Sequence, residues 1–486
     1  MKKLIILLST VLIAWSFTSC KKFLDLEPIS NEIWISNTAS DSIIYKTTDE
    51  VETALSGVYA DFKNEYFELD YFVNGDAQSD DAYAGADNPA NFQIDDYNLD
   101  ALNTNVSRDW GYLYGTIGKA NIVINNVMAV PDPTLTETRK KEILGEASFI
   151  RAFMYFQAVQ LWGDVPLQLK EVTTINAELL PEIYPLLFPK RAPMDSVFMQ
   201  IIHDFEVALE NVNPTAAHKG YVTTGAVNAM LAKVYATIEP HDYNKVVQYC
   251  DAVVNGPYSL LGNYENLWDN SVENSEESIF EINYEGTITD GNWGASMFRG
   301  SDWKKFNIPS NDLVKAFDEE QDGIRKNSSI IFLAEGFPDA HWPQTNYPFI
   351  NKWRIFGGSS PQNYIFLRLA DIILLKAEVL NELGDVSGAA GLVNQIRSRV
   401  SLPNTTASNQ ADMRLAIEKE RRLELAFEGH RWFDLKRTGR AIEVINNAID
   451  ETGQKIGYNL TPNRLLWPVP QSELDRNTSL VQNSGY

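Results

Sequence analysis

Two pairs of adjacent aspartates are the first side chains in this sequence that could carry out acid–base chemistry. They are Asp80-Asp81 and Asp95-Asp96, in a stretch rich in glycine and aspartate. Hydrolysis of a glycosidic bond needs two carboxyl groups that face each other across a sugar. In a chain with 65 acidic residues we interpret the pairs as solvated loop charges. Asp80 and Asp81 are predicted ligand-binding residues through hydrogen bonds to sugar hydroxyls, and a surface glycosidase stays an alternative.

Other catalytic and cofactor-binding patterns are not found. The chain has no His-Glu-x-x-His zinc motif and no Gly-x-Ser-x-Gly elbow. Gly111, Gly115, Gly118 and Lys119 suggest a phosphate loop, but Leu113 stands where that loop needs glycine. No two of the five histidines have the spacing of metal ligands; they are His203, His218, His241, His341 and His430. We expect no metal, no cofactor and no catalytic residues.

Aromatic side chains offer a different chemistry, the stacking of sugar rings. The axial C–H groups of a pyranose are slightly positive and the face of an aromatic ring is negative, so the two attract. The chain has 11 Trp and 21 Tyr. Trp293, Trp303 and Trp342 lie in a loop-rich stretch, and Tyr83 lies in an earlier loop. We predict that these four residues bind the ligand, although each could instead pack in a core.

The first twenty residues have the composition of a secretory signal. Two lysines precede the apolar run Leu4–Ala14, which is shorter than the roughly 20 residues that span a membrane. Small residues then precede Cys20. A cysteine directly after the cleavage point is typical of a bacterial lipoprotein, so we predict lipidation of Cys20; the alternative is an ordinary signal peptide. We expect a signal at 1–19 and a lipidated N-terminus with a tether at 20–40.

Charge and cysteine content exclude several classes of protein. The formal net charge is −24, and such a surface repels nucleic acid and anionic lipid headgroups. Neutral sugars remain compatible with it. Apart from Cys20, the chain has only Cys250, so it has no disulfide framework. We interpret Cys250 as a buried small residue of a helix.

Helices must position most of these residues. Apolar side chains recur at spacings of three and four in Thr48–Asn64, Asp109–Met128 and Ile143–Leu161. Two later stretches, Ala226–Val254 and Ala370–Val400, each contain two such helices joined by a short turn. They resemble tetratricopeptide units, and generic antiparallel helix pairs are the alternative.

The stretch 256–365 has a different texture. It is rich in Gly, Asn, Ser, Pro and aromatics, and Ser278–Tyr284 alternates like a strand. We interpret it as loops and short strands on a helical platform. Loops on a rigid scaffold are where binding residues usually lie.

Six segments of the chain carry motifs that identify a family. They are Phe23–Pro28, Gly145–Phe156 with Leu161–Leu167, Leu367–Glu378, Val393–Arg397, Glu420–Arg437, and Trp467–Gln471 with Gln482–Tyr486. Together, and in this order, they resemble the SusD/RagB family of outer-membrane nutrient-binding lipoproteins. Ser484 departs from the proline common at that position.

The charged residues of these motifs have a structural interpretation. Glu420–Arg437 interleaves acids, bases and aromatics, which we interpret as one helix with ion pairs three and four residues apart. We interpret Glu146 and Arg151 in the same way. The motifs therefore identify the scaffold and not the ligand.

The resemblance implies more than the spacings do. It implies a mostly α fold in which four tetratricopeptide-like helix pairs carry a variable loop-rich part. On this basis we expect residues 41–486 to form a single SusD-like domain, with the variable region around 256–365. The resemblance also implies a lipid anchor in a Bacteroidetes-type outer membrane, facing the exterior, and delivery of ligand to a SusC-type TonB-dependent transporter. The expected ligand is a glycan, with a peptide as the alternative, and no enzymatic activity is implied.

Overall fold

The computed structural model describes residues 44–85, 88–172, 178–300 and 303–486. The predicted signal at 1–19, the predicted lipidation site Cys20 and the predicted tether at 20–40 lie outside these residues. Residues 44–171 and 185–486 form one large unit, and Val172 and 178–184 belong to a second, small unit. None of the helices in the described ranges is long and apolar enough to cross a membrane.

α-Helices dominate the described residues, which confirms the predicted fold class. In chain order they are α1 (Thr48–Ala60), α2 (Pro89–Asp95), α3 (Thr104–Asn126), α4 (Glu137–Trp162), α5 (Leu180–Leu187), α6 (Met194–Asn211), α7 (Thr224–Tyr235), α8 (Tyr243–Val254), α9 (Gly294–Phe298), α10 (Asn311–Glu320), α11 (Gly323–Ser329), α12 (Leu369–Glu382), α13 (Val386–Arg399), α14 (Gln410–Glu424), α15 (Arg431–Arg437), α16 (Ala441–Ile445) and α17 (Gln471–Arg476).

Two helical hairpins lie where the sequence predicts them. α7 packs against α8, α12 packs against α13, and α8 also packs against α12. The side chain of Asp242 accepts a hydrogen bond from the backbone N–H of Lys245, and Asp385 accepts one from Gly388. Such a cap satisfies an N–H group that the first turn of a helix leaves free. These aspartates therefore mark where the second helix of each hairpin begins.

The longest helix of the described ranges, α4, packs against α3 and α6. Arg151 donates to both carboxylate oxygens of Asp204 on α6, at 2.8 and 2.7 Å. Glu146 accepts from Arg139 at 2.6 Å and from the hydroxyl of Tyr59 on α1 at 2.7 Å. These contacts agree with the structural interpretation of Glu146 and Arg151, because each joins α4 to a neighbour or fixes a side chain on it.

Short antiparallel strand pairs complete the described fold. They are β1 (Ala82–Tyr83) with β5 (Ile308–Pro309), β2 (Val165–Pro166) with β3 (Arg191–Ala192), β4 (Ser278–Ile282) with β8 (Tyr364–Arg368), and β6 (Ile330–Leu333) with β7 (Tyr347–Ile350). β4 lies in the predicted strand, yet all its side chains are buried, including Glu281. The alternation in its sequence therefore does not separate a buried face from an exposed one.

The segment Glu420–Arg437 forms two helices, so the prediction of one helix was wrong. α14 ends at Glu424 and α15 begins at Arg431. In the turn between them Phe427 and Gly429 have φ angles of +63° and +75°, and an α-helix cannot continue through residues in that left-handed region. The ion pairs of this segment mostly reach other elements, rather than residues three or four positions away.

Ten charged side chains form one buried charge network around α14. Its five cations are Lys352, Arg325, Arg368, Arg397 and Arg399, and its five anions are Asp322, Glu277, Glu420, Glu424 and Glu428. Arg368 of β8, for example, lies 2.6 Å from Glu424 and 2.7 Å from Glu428. At the edge of the network Arg397 also contacts Glu320, at 2.7 Å. Each buried ion has a partner of opposite charge, which matters because a buried ion without a partner costs several kcal/mol.

Candidate functional site

Two of the predicted ligand-binding residues, Asp80 and Tyr83, line one pocket, which we call the Tyr83 pocket. Its volume is about 350 Å³, and its lining includes Asp80, Tyr83, Asp95, Asp96, Asp339 and Tyr458. Ligand pockets for small molecules have volumes of roughly 300–1,000 Å³. The pocket therefore has room for part of a small polar ligand.

Tyr83 is held at the pocket by strand pairing and by hydrogen bonds. It pairs with Ile308 in the β1–β5 sheet, and its hydroxyl donates to Oδ2 of Asp339 at 2.7 Å. The hydroxyl of Tyr347 also donates to Asp339. The ring of His341 meets the ring of Tyr83 edge-on, with 5.0 Å between centroids. Burial, followed by the neighbouring Tyr347 and Asp339, raises the pKa of Tyr83, so the residue acts as a neutral phenol.

Asp95, at the end of α2, forms another wall of the pocket. Its carboxyl group accepts from the backbone N–H of Ala84 at 3.0 Å and from the hydroxyl of Tyr458 at 3.2 Å. Burial raises the pKa of Asp95 to about 8, and the neighbouring Asp96 adds to that effect. Asp96 itself is exposed. The interpretation of both as solvated loop charges was therefore wrong for Asp95, whose partners bury it.

Asp80 and Asp81 are buried ion-pair partners, so their interpretation as solvated loop charges was also wrong. Arg431 donates to both oxygens of Asp80, at 2.7 and 2.9 Å, and Arg422 donates to Asp81 at 2.7 Å. Burial opposes ionisation of Asp80, but Arg422 and Arg431 outweigh it and lower its pKa to about 2. These pairs join the Tyr83 segment to α14 and α15. Ligand binding by Asp80 and Asp81 stays a prediction, and Asp80 is the one that lines the pocket.

Trp303 is the most exposed of the predicted tryptophans. Its side chain is 61% exposed, and that of Phe337 is 60% exposed. Their ring centroids lie 4.9 Å apart at an angle of 52°, and we call them the Trp303–Phe337 pair. Large apolar side chains that are exposed together often mark a binding surface. Phe337 was not among the predicted binding residues, although its position between Gly336 and Pro338, in a short polar loop, is a signal for an exposed aromatic.

One segment joins the Trp303–Phe337 pair to the Tyr83 pocket. The ammonium group of Lys305 donates to the backbone oxygen of Phe337 at 2.8 Å. The backbone oxygen of Lys305 accepts from the N–H of Gly85, two residues after Tyr83, at 2.7 Å. The aromatic pair and the pocket therefore belong to one continuous region of the loop-rich part.

The other two predicted tryptophans are less accessible. Trp342 donates from its indole N–H to the oxygen of Pro309 at 3.2 Å, and its ring lies against Phe332 with 5.9 Å between centroids. It packs against the apolar cluster of Ile308, Tyr347 and Phe349 and does not line the Tyr83 pocket. Trp293 precedes α9 and packs against the main core. Its backbone N–H lies 3.4 Å from Oε2 of Glu68, and it does not line the Tyr83 pocket.

A second cavity, with a volume of about 610 Å³, lies between α12, α14 and α15. Its charged groups are already paired with each other. Arg437 contacts Glu378 and Asp434, and Arg421 contacts Asp434 at 2.9 Å. In the described ranges no group of three or more His, Cys, Asp and Glu side chains is arranged to hold a metal ion. The Tyr83 pocket, with its aromatic neighbours, is therefore the stronger candidate site.

Sequence comparisons agree with the fold. Residues 297–486 match a family model described as the SusD family, and residues 22–236 match one described as starch-binding associating with outer membrane. The chain belongs to the SusD/RagB family. Its relatives in that family include SusD-like protein P2 of Formosa agariphila, which is 28% identical over 91% of this chain and 93% of its own. The starch-binding protein SusD of Bacteroides thetaiotaomicron is 23% identical over 72% of this chain and 74% of its own.

Solved structures of SusD-family proteins share this fold. A SusD superfamily protein from Bacteroides vulgatus has a TM-score of 0.76 and 21% identity, with coverage of 90% of this chain and 99% of its own. A laminarin-binding SusD-like protein has a TM-score of 0.71 and 26% identity, with coverage of 91% and 100%. These similarities confirm the predicted SusD-like scaffold.

Proposed function

We propose that this SusD-family protein binds a glycan without cleaving it and delivers it to a SusC-type TonB-dependent transporter. The observation that carries the proposal is the exposed Trp303–Phe337 pair beside the Tyr83 pocket. Two exposed rings give apolar faces to the C–H groups of a sugar. The pocket next to them offers carboxylate and phenol groups to its hydroxyls.

Two relatives support a glycan as the ligand. One structural neighbour, 26% identical, binds laminarin, and one relative is named for binding starch. Neither identifies the sugar that this chain binds, because the two proteins are only 26% and 23% identical to it. A peptide is the alternative ligand, and it would use the same exposed rings.

The sequence of the first twenty residues and membership of the SusD family support the lipid anchor and the transporter partner of this proposal. On this proposal the lipid on Cys20 holds the protein at the outer surface of the outer membrane, where the protein closes over the transporter. A ligand that contacts both partners shifts the pair toward the closed state. Replacement of Cys20 by Ala should release the protein from the membrane fraction of cells. Retention of the variant in that fraction would contradict the anchor.

Affinity electrophoresis tests the glycan proposal. The protein from residue 21 onward is run in native gels that contain laminarin, amylopectin, xylan or mannan. We expect one polymer to slow the wild-type protein, and Trp303→Ala to remove most of the retardation. Tyr221→Ala is the matched control, because Tyr221 is also an exposed aromatic, at 44%, but packs on Tyr59 and His218 away from the pocket lining.

Three results would count against the proposal. Equal loss of retardation in Trp303→Ala and Tyr221→Ala would show that the rings act non-specifically. Release of reducing ends would show a glycosidase instead. Retardation by none of the polymers, together with binding of peptides from a casein digest, would favour the peptide alternative.

A further inference from the structure

The Tyr83 pocket is lined by acidic side chains and no basic ones among its described residues, apart from His341. The aspartates are Asp80, Asp95, Asp96, Asp312, Asp339 and Asp450. A carboxylate is an acceptor of hydrogen bonds and a source of negative potential. The balance between acids and bases at the pocket therefore decides which ligands it favours.

Two of these aspartates are neutralised by arginines that lie behind the pocket wall. Asp80 is paired with Arg431 and Arg422. Asp312 lies 2.9 Å from a second nitrogen of Arg422. Arg422 belongs to α14 and Arg431 to α15, and their side chains are only 10% and 6% exposed. Neither lines the pocket, so they do not offer positive charge to a ligand.

Asp95, whose pKa is raised by burial to about 8, is mostly protonated at neutral pH and adds little charge. Two other aspartates of the lining, Asp339 and Asp450, are held by neutral donors. The carboxylate of Asp339 accepts hydrogen bonds from the hydroxyls of Tyr83 and Tyr347, and from the backbone N–H of His341 at 2.9 Å. Asp450 accepts from the hydroxyl and N–H of Thr452, at 2.7 and 2.8 Å. These bonds fix the carboxylates without cancelling their charge.

Nearby cations do not compensate for them. Lys305 lies behind the wall, where its ammonium group contacts the oxygen of Phe337 and lies 3.6 Å from Glu335. The imidazole of His341 lies 3.2 Å from Glu451, so that even when protonated it meets another acid. The net charge of the whole chain, −24, adds repulsion of the same sign at longer range.

We propose that the pocket selects its glycan by charge, accepting uncharged sugars and excluding those that carry sulfate or carboxylate groups. This inference rests on the proposed function. Sugar hydroxyls are donors, and hydrogen bonds to ionised acceptors are about twice as strong as those between neutral groups. An anionic substituent meets Asp96, Asp339 and Asp450 in a partly enclosed space, where like charges close together disfavour binding.

Pairs of polymers that differ only in charge test this inference. Isothermal titration calorimetry measures the affinity for laminarin, amylopectin, xylan and mannan and for the sulfated derivative of each at matched chain length. The measurements are made in 50 mM and in 500 mM salt. We expect sulfation to weaken binding of the recognised polymer at least tenfold at low salt. The ratio of the two dissociation constants, that of the sulfated polymer to that of its neutral parent, should be smaller in 500 mM salt, because salt screens exposed charges.

Charge-removing variants separate electrostatics from the bulk of the sulfate group. In an Asp96→Asn, Asp450→Asn double variant the sulfation penalty should fall at least threefold. Asp475→Asn is the control, because Asp475 is an acid of α17 that does not line the pocket. A penalty that is unchanged in the double variant would overturn the electrostatic cause.

The outcomes distinguish this inference from the proposed function. Binding of a sulfated polymer as tightly as its neutral parent, or more tightly, overturns charge selection and leaves glycan binding intact. Binding of none of the eight polymers overturns the proposed function, and this inference falls with it.

Discussion

Replacing Glu424 by Gln removes one negative charge from the centre of the buried charge network. Glu424 is fully buried and contacts Arg368 at 2.6 Å, Arg325 at 3.1 Å and also Arg399. Gln keeps the shape of the side chain but leaves these guanidinium groups with one anion too few. Breaking a buried ion pair in this way costs about 3–5 kcal/mol, a large part of the roughly 5–15 kcal/mol by which a folded protein is stable.

Glu382→Gln is the matched control for this change. Glu382 also pairs with an arginine, Arg414, but that arginine is 50% exposed. Solvent screens the pair, so its loss should cost less than about 1 kcal/mol. Urea unfolding, followed by tryptophan fluorescence, gives both free energies of unfolding. Similar losses in the two variants would refute the reasoning.

The pH dependence gives a second readout. Burial opposes ionisation of Glu424, but Arg399, Arg368 and Arg325 outweigh it and hold its pKa well below the usual range. Because the pKa in the folded protein is below that in the unfolded chain, the stabilisation is present above the unfolded pKa and is lost as the pH falls. The gap between wild type and Glu424→Gln should therefore narrow below about pH 4. A gap that is constant with pH would refute the electrostatic cause.

Three further predictions concern single positions, two of them with a matched control variant. Trp353→Ala should lower the free energy of unfolding by about 3–5 kcal/mol, because Trp353 is only 5% exposed. Trp303→Ala should lower it by less than about 1 kcal/mol, because Trp303 is 61% exposed. Urea unfolding measures both losses, and equal losses would contradict the placement of Trp353 in the core. Burial raises the pKa of Glu68 from 4.5 to about 8, so the free energy of unfolding of the wild-type protein should fall as the pH rises through that range. Thermal midpoints are measured at pH 5 and pH 8.5, and the midpoint of Glu68→Gln should be higher relative to that of wild type at pH 8.5 than at pH 5. An equal difference between the two proteins at both pH values would argue against the prediction. Gly75→Ala places a Cβ 2.3 Å from a backbone oxygen and should destabilise by roughly 1–3 kcal/mol, while Gly115→Ala, with open space around it, should not lower the thermal midpoint.

The helical scaffold could be predicted because its signals are local. The four hairpin helices, α7, α8, α12 and α13, each show apolar spacings of three and four. The turns, and the aspartates that cap α8 and α13, lie within the same stretches of sequence. The break between α14 and α15 was missed. It depends partly on Phe427 in a left-handed conformation, which no propensity of phenylalanine indicates.

The environment of the acidic pairs could not be predicted, since their partners are distant in sequence. Asp81 meets Arg422, which lies 341 positions away. The same limit applies to the aromatics. Trp303 and Trp353 lie in the same loop-rich stretch, and nothing in the local sequence separates them. Trp303 is nevertheless exposed, whereas the ring of Trp353 lies 4.7 Å from that of Phe72, measured between centroids.

The buried charge network also restricts how this chain can change over generations. Each member has a partner of opposite charge, so a single substitution leaves an unpaired ion in the interior and lowers fitness through stability. Accepted change there must come in coupled steps, with an acid and a base altered together. Trp303 and Phe337 can change independently of their neighbours, because replacing an exposed side chain changes the free energy of unfolding little. The same backbone can therefore be inherited almost unaltered while the exposed loops change one residue at a time. On the proposed function, such changes alter which sugar is bound without loss of the fold.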